Sequence, residues 1–207
     1  MKKILIIAHN FWPENFPINN FVYNLAKNNV EISVLTGKPN YPKGKIYKGY
    51  KNLSIDRQKY FKLKNVIIYR VPIITRGNGN LIRRILNYFS FIISAIVFGF
   101  VKLRKKKIDH IIVYSPSPVV HSFVGIFFKK VKRAKLSIWL QDLLPQTLDL
   151  ILKSKNKYIY YLLDKVINYI YRSCDLIFVQ SLAYKKIIKK LFNQKNIFYL
   201  PNSRNFL

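Results

Sequence analysis

Residues 3–35, KILIIAHNFWPENFPINNFVYNLAKNNVEISVL, pass from a strand pattern to a helix pattern and back. Lys3 to Ala8 is a continuous apolar run, the pattern of a strand covered on both faces. Pro17 opens a helical stretch with Ile18, Phe21, Val22 and Leu25 at helical spacing, ending at Asn28-Asn29. Ile32 to Leu35 is a second apolar run of strand length. A strand, a helix and a strand joined by short connections predict a β-α-β unit and therefore a parallel sheet.

The same alternation continues along the chain. Strands are expected at Val66–Val71, Ile111–Tyr114, Lys135–Leu140, Leu176–Gln180 and Ile197–Leu200. Helices are expected at Leu81–Leu103, from Ser115-Pro116-Ser117-Pro118 through Lys132, at Tyr158–Arg172 and at Ala183–Phe192. Gly37 to Asn52, with Pro39, Pro42, Gly44 and Gly49, reads as a long loop, and Thr75 to Asn80 as a turn. The expected fold class is α/β, a Rossmann-like doubly wound parallel sheet. No repeat, low-complexity stretch or linker divides the 207 residues, so one domain is expected.

Charge is the strongest compositional signal: 37 Lys and Arg oppose 8 Asp and Glu, a formal +29. That balance favours phosphate-rich partners, although a lysine-rich surface habit accounts for part of it. No helix-turn-helix, RNP or zinc signature points to nucleic acid. A single cysteine, Cys174, excludes a disulfide framework and a cysteine metal cage. His9, His110 and His121 are scattered, so no metal site is expected. His9 reads as a minor cleft residue, and the other two as surface or satisfied core positions. Met1-Lys2-Lys3 precedes only five apolar residues, which is no signal peptide, and a cytoplasmic location is expected.

In a doubly wound fold the loops after the strands carry the chemistry. Here those loops read Trp12-Pro13-Glu14 with Pro17 and Asn19, then Thr36-Gly37 with Pro39-Asn40-Tyr41-Pro42-Lys43-Gly44 and Gly49-Tyr50. Ser115-Pro116-Ser117-Pro118, Gln141-Asp142-Leu143 with Pro145, Gln180-Ser181 and Leu200-Pro201-Asn202 follow. In that order the series resembles the N-terminal domain of family 4 glycosyltransferases, in the branch similar to WbuB-type fucosaminyl transferases of O-antigen and capsule assembly. Leu144 and Gln146 stand where that family usually has Trp and Glu.

The resemblance implies the N-terminal, acceptor-binding half of a GT-B architecture over residues 1–202, with 203–207 the start of the inter-domain hinge and the donor half absent. It implies retaining, metal-independent transfer of a sugar from a nucleotide-sugar to a polyprenyl-diphosphate-linked saccharide, with no cofactor beyond that co-substrate. Asp142 would act at the anomeric centre; a helix N-cap is its plain structural alternative. Glu14, Asn19, Asn40, Tyr41, Gln141, Ser181 and Asn202 would contact substrate, although Glu14 equally suits a helix start. The first loop lacks glycine, which excludes a dinucleotide fingerprint. A separate donor-domain polypeptide, or a basic lipid-binding protein without catalysis, are the rival readings.

Ile85 to Val101 carries no charge across its length, between Arg83-Arg84 and the cluster Lys102, Arg104, Lys105, Lys106, Lys107. Basic residues on both sides fit a helix lying in an anionic interface, with a buried helix and a true span as alternatives. A peripheral position on the inner face of the cell membrane is the expectation.

Overall fold

The computed structural model describes residues 1–52, 54–57, 63–116, 119–142, 157–192 and 196–202. Among the described residues eight strands form one sheet: β1 (Lys2–Ala8), β2 (Val30–Gly37), β3 (Ile55–Arg57), β4 (Val66–Val71), β5 (His110–Ser115), β6 (Lys135–Leu140), β7 (Leu176–Val179) and β8 (Ile197–Tyr199). Their order is β3-β4-β2-β1-β5-β6-β7-β8. Seven strands are parallel, and the short edge strand β3 pairs antiparallel with β4. The fold is the α/β, Rossmann-like doubly wound sheet that the alternation predicts. Strand β3 is the addition: it lies beyond the proline- and glycine-rich loop, and three residues are too short for an apolar period to register.

Strand β1 shows how the sheet is buried on both faces. Leu5 and Ile7 enter one core with Phe91, Val124, Phe128 and Ile170, while Ile6 and Ala8 enter the other with Ile18, Val22 and Trp139. Among the described residues five α-helices cover it: α1 (Pro17–Ala26), α2 (Leu81–Leu103), α3 (Ser122–Lys132), α4 (Lys157–Ser173) and α5 (Leu182–Phe192). Helix α1 buries Ile18, Val22 and Ala26 on one face of the sheet. The buried apolar side chains of α2 through α5, such as Phe91, Phe128, Ile170 and Ile188, belong to the core on the other face. Helix α3 comes so close to the sheet that a Cβ on Gly125 would stand 2.4 Å from Val113 Cγ2, so only glycine fits there.

The chain leaves β1 toward β2 in one direction, and β5 leads toward β6 in the other. The gap between the carboxyl ends of β1 and β5 is therefore the topological switch point, where ligands of doubly wound sheets gather.

Helix α2 is about 34 Å long at 1.5 Å per residue. Its buried stripe is Asn87, Phe91, Ala95, Gly99 and Leu103, one residue every four. Only 22% of its most apolar stretch is buried, and by length and composition it is apolar enough to cross a membrane. Ile82, Ile85, Phe89, Ile93, Val97 and Val101 are exposed on its outer side.

Candidate functional site

The site is built on the loops at the carboxyl edge of the parallel strands. Glu14 follows β1 and is 2% exposed. Its Oε1 accepts the backbone N–H of Asn40 (2.8 Å) and of Tyr41 (2.6 Å), and its Oε2 accepts Asn10 Nδ2 (3.0 Å). Burial raises its pKa above the usual 4.5, and the hydrogen bonds from Tyr41, Asn40 and Asn10 oppose that rise. Asn19, at the start of α1, accepts Trp12 N–H (3.0 Å) and donates to the Glu14 carbonyl (2.7 Å). Glu14 and Asn19 thus fix the shape of the first loop and pin the second loop to it.

The second loop is held from other sides as well. Arg70, on β4, donates to the Trp12 carbonyl (2.7 Å) and lies over the Tyr50 ring. Gly44, at φ +68°, takes the backbone against the 75–80 turn: Gly77 N–H donates to its carbonyl at 3.2 Å, and a Cβ would fall 1.9 Å from the Gly77 oxygen. Asn40 is buried, donating to the Lys38 carbonyl. Tyr41 is the exposed member, 41% accessible, with its ring against Phe16 and under the Arg76 guanidinium.

At the switch point the rings of His9 (after β1) and His121 (before α3) stack with centroids 4.8 Å apart, edged by Tyr88 and Phe91 of α2. His9 Nδ1 meets Asn10 Oδ1 at 3.1 Å, while His9 Nε2 and both ring nitrogens of His121 have no hydrogen-bond partner. Arg76 closes this cluster, donating from Nε to Asn87 Oδ1 (3.3 Å) and from Nη2 to Tyr88 OH (3.1 Å). Burial first, then neighbouring positive charge, holds both histidines well below 6.5, with His121 down to about 3.

A histidine that binds its proton less readily when folded stabilises the fold above pH 6.5 and loses that contribution as pH falls toward the folded value. Stability is therefore expected to drop from pH 6.5 downward, by about 2 kcal/mol at pH 5 from His121 alone. His121→Phe keeps the ring in its aromatic surroundings and should flatten the slope. Chemical unfolding from pH 7 to pH 5 reads it, and an unchanged slope would contradict the assignment.

On the far side of the switch point, Gln141 and Asp142 follow β6. Gln141 is buried; its N–H donates to the Ser115 carbonyl (3.1 Å), its own carbonyl accepts Gln180 Nε2, and its side-chain Nε2 has no partner. Asp142 is half-buried. Burial, and then the negative charge of Asp142, push the Tyr114 hydroxyl pKa up, which places that carboxylate beside the end of β5. Ser181 accepts the Ala183 N–H at the start of α5 (3.2 Å), and Asn202 Nδ2 donates to Gln180 Oε1 (2.8 Å) in an exposed position.

The structure thus brings Glu14, Asn19, Asn40 and Tyr41 into one bonded wall, and links Gln141 and Asn202 through Gln180. Ser117-Pro118, Leu143, Leu144, Pro145, Gln146 and 203–207 lie outside the described residues. Sequence reasoning missed His121 and Arg76. His121 is buried without a hydrogen-bond partner rather than exposed or satisfied, and its position just after β5 becomes telling only once β5 is known to lie beside β1. Among the described residues no three His, Cys, Asp or Glu stand together as a metal set.

The basic residues expected to face a membrane divide in two. Lys106 Nζ reaches Glu31 (3.3 Å) and Lys107 reaches Asp109 (3.7 Å). Arg83, Arg84, Lys102, Arg104 and Lys105 are exposed at the two ends of α2. No family model matches the chain, and no curated protein matches it.

Proposed function

We propose that the chain is the acceptor-binding domain of a glycosyltransferase that moves a sugar from a nucleotide-sugar onto a polyprenyl-diphosphate-linked saccharide at the membrane surface. The observation that carries the reading is where buried polar atoms without partners collect. His9 Nε2, Ser115 Oγ, His121, Ser122 Oγ and Gln141 Nε2 all lie at or just beyond the carboxyl ends of β1, β5 and β6. Buried polar groups are nearly always bonded, so a concentration of unbonded ones at a switch point marks a ligand site.

The wall supports a sugar as that ligand. Tyr41 offers an exposed ring, and hydroxyls would find a guanidinium donor in Arg76 beside it. Asp142 supplies the negative charge that would stabilise a developing cation at the anomeric carbon. Glu14, Asn19 and Asn40 hold this wall in shape. The reading is tested by transfer: joined to a donor-holding domain, the chain moves labelled sugar onto a lipid-linked saccharide. Absence of transfer with every member of a nucleotide-sugar panel would contradict it.

The exposed side of α2 supports the membrane position. Its inner stripe is committed to the sheet, so the outer apolar ridge favours lying in the interface over spanning. Binding to anionic vesicles should weaken by about 1 kcal/mol, roughly fivefold, in Lys105→Gln, and less in Lys106→Gln, whose charge is already paired with Glu31. Sedimentation with vesicles measures both. Equal losses would contradict the division between paired and exposed charges, and salt-independent binding would favour a span.

A further inference from the structure

At the opposite edge of the sheet from the glycosyl-transfer site, helices α3 and α4 end side by side around a groove of about 490 Å³. Ile126 and Ala134 supply apolar lining, and Lys129, Lys130, Arg133 and Arg172 supply four cations. Basic residues at helix carboxyl ends are ordinary complements to the helix dipole, and two neighbours are explained that way or by pairing. Lys129 Nζ bonds Asp175 Oδ2 (2.9 Å) and the Ser173 carbonyl (2.8 Å). Lys132, outside the groove, bonds the carbonyls of Leu103, Arg104 and Lys106 at the end of α2.

Arg133 is not explained so. It stands at φ +52°, ψ +38° just past α3, the left-handed position where helices favour glycine. It is the one non-glycine residue with positive φ among the described residues. A side chain there is disfavoured relative to glycine, because its Cβ crowds the following backbone. Lys130, Arg133 and Arg172 converge on the groove, and among the described residues none of the three has an acidic partner within ion-pair distance. Three like charges gathered around one concavity, one of them in a backbone conformation that disfavours it, are what an anion would hold together.

We infer that the groove between the ends of α3 and α4 binds a phosphate-bearing anion, with Arg133 and Arg172 as its guanidinium donors and Lys130 as a third charge. The volume leaves room for an organic group beyond the phosphate, over Ile126 and Ala134. The phosphate source is either a soluble compound or a lipid headgroup, and the inference does not depend on the glycosyl-transfer reading.

Arg133→Gly separates binding from folding, because glycine suits this backbone better than arginine does. The native chain, Arg133→Gly and the Arg133→Gly/Arg172→Gln pair are titrated with inorganic pyrophosphate. They are also sedimented with phosphatidylcholine vesicles containing phosphatidylglycerol. The expected result is a loss of roughly fivefold or more in affinity for one probe in Arg133→Gly, and more in the pair. The thermal midpoint of Arg133→Gly should be equal to or above the native one. A loss confined to pyrophosphate identifies a soluble phosphate, and a loss confined to vesicles a headgroup. Unchanged binding of both probes overturns the inference, as does an equal loss in Lys45→Gln, whose side chain lies in the loop at the other edge of the sheet.

Discussion

Glu14→Ala is expected to destabilise the chain by about 3 kcal/mol and to release the 37–52 loop from the first post-strand loop. The alanine leaves two N–H groups, of Asn40 and Tyr41, without the acceptor they share at 2.8 and 2.6 Å. It also leaves Asn10 Nδ2 without its partner. Each donor stranded away from water costs about 1–3 kcal/mol, and the relief of a buried charge offsets part of the sum. For a chain of this length the loss corresponds to a drop in thermal midpoint of roughly 6–12 °C.

Glu14→Gln should cost far less, because an amide oxygen still accepts both N–H groups. The carboxyl binds its proton more tightly folded than unfolded, so its contribution is full below the usual 4.5 and is lost as pH rises through the raised value. Glu14→Gln removes that pH dependence. Thermal melts across pH 4 to 7 for the three proteins check both points; equal midpoints for alanine and native chains would contradict the clamp.

Asp142→Asn is expected to lower the single-turnover rate of sugar transfer by on the order of 10²-fold or more, in the chain joined to a donor-holding domain. The substitution keeps the shape of the side chain and most of its hydrogen bonding. Asn and Asp also serve a helix N-cap about equally, so a purely structural role predicts little change in stability. What is lost is the negative charge at the half-buried edge of β6, beside Tyr114. A charge preorganised against a developing cation acts on the rate and leaves the folded ground state almost untouched. Rate and thermal midpoint measured on the same preparation separate the two roles. An undiminished rate would move Asp142 to the scaffold.

The sheet was legible in the sequence because its strands are buried on both faces and leave continuous apolar runs such as KILIIA and KLSIWL. The helices were legible because α1 and α2 keep helical apolar spacing between clear stops. Even so, the visible period of α2 spoke for two faces at once. Its inner stripe contains Asn87 and Gly99, which hydropathy scores as interruptions. Asn87 is nonetheless fully buried, donating to the Ile74 carbonyl at 2.6 Å, and Gly99 lets the helix approach Leu35.

The candidate site was legible as a set of loops but not as a set of contacts. Glu14 and Asn40 lie 26 positions apart, and nothing local in either stretch shows that one accepts the other's N–H. His9 and His121 meet only because β5 lies beside β1, a consequence of strand order rather than of residues near either histidine. Arg133 is likewise unremarkable among so many basic residues until its left-handed backbone is seen.

A sheet that receives the acceptor of a glycosyl transfer, as proposed, has to bind that acceptor at equilibrium. Calorimetric titration of the chain with short-chain polyprenyl-diphosphate-linked N-acetylhexosamines, and in parallel with UDP- and GDP-sugars, should give measurable affinity for the lipid-linked saccharides. Affinity for the free nucleotide-sugars should be weak or absent, since the loop after β1 has no glycine-rich phosphate cradle. Tight binding of a nucleotide-sugar, with none of the lipid-linked saccharides, would contradict the account.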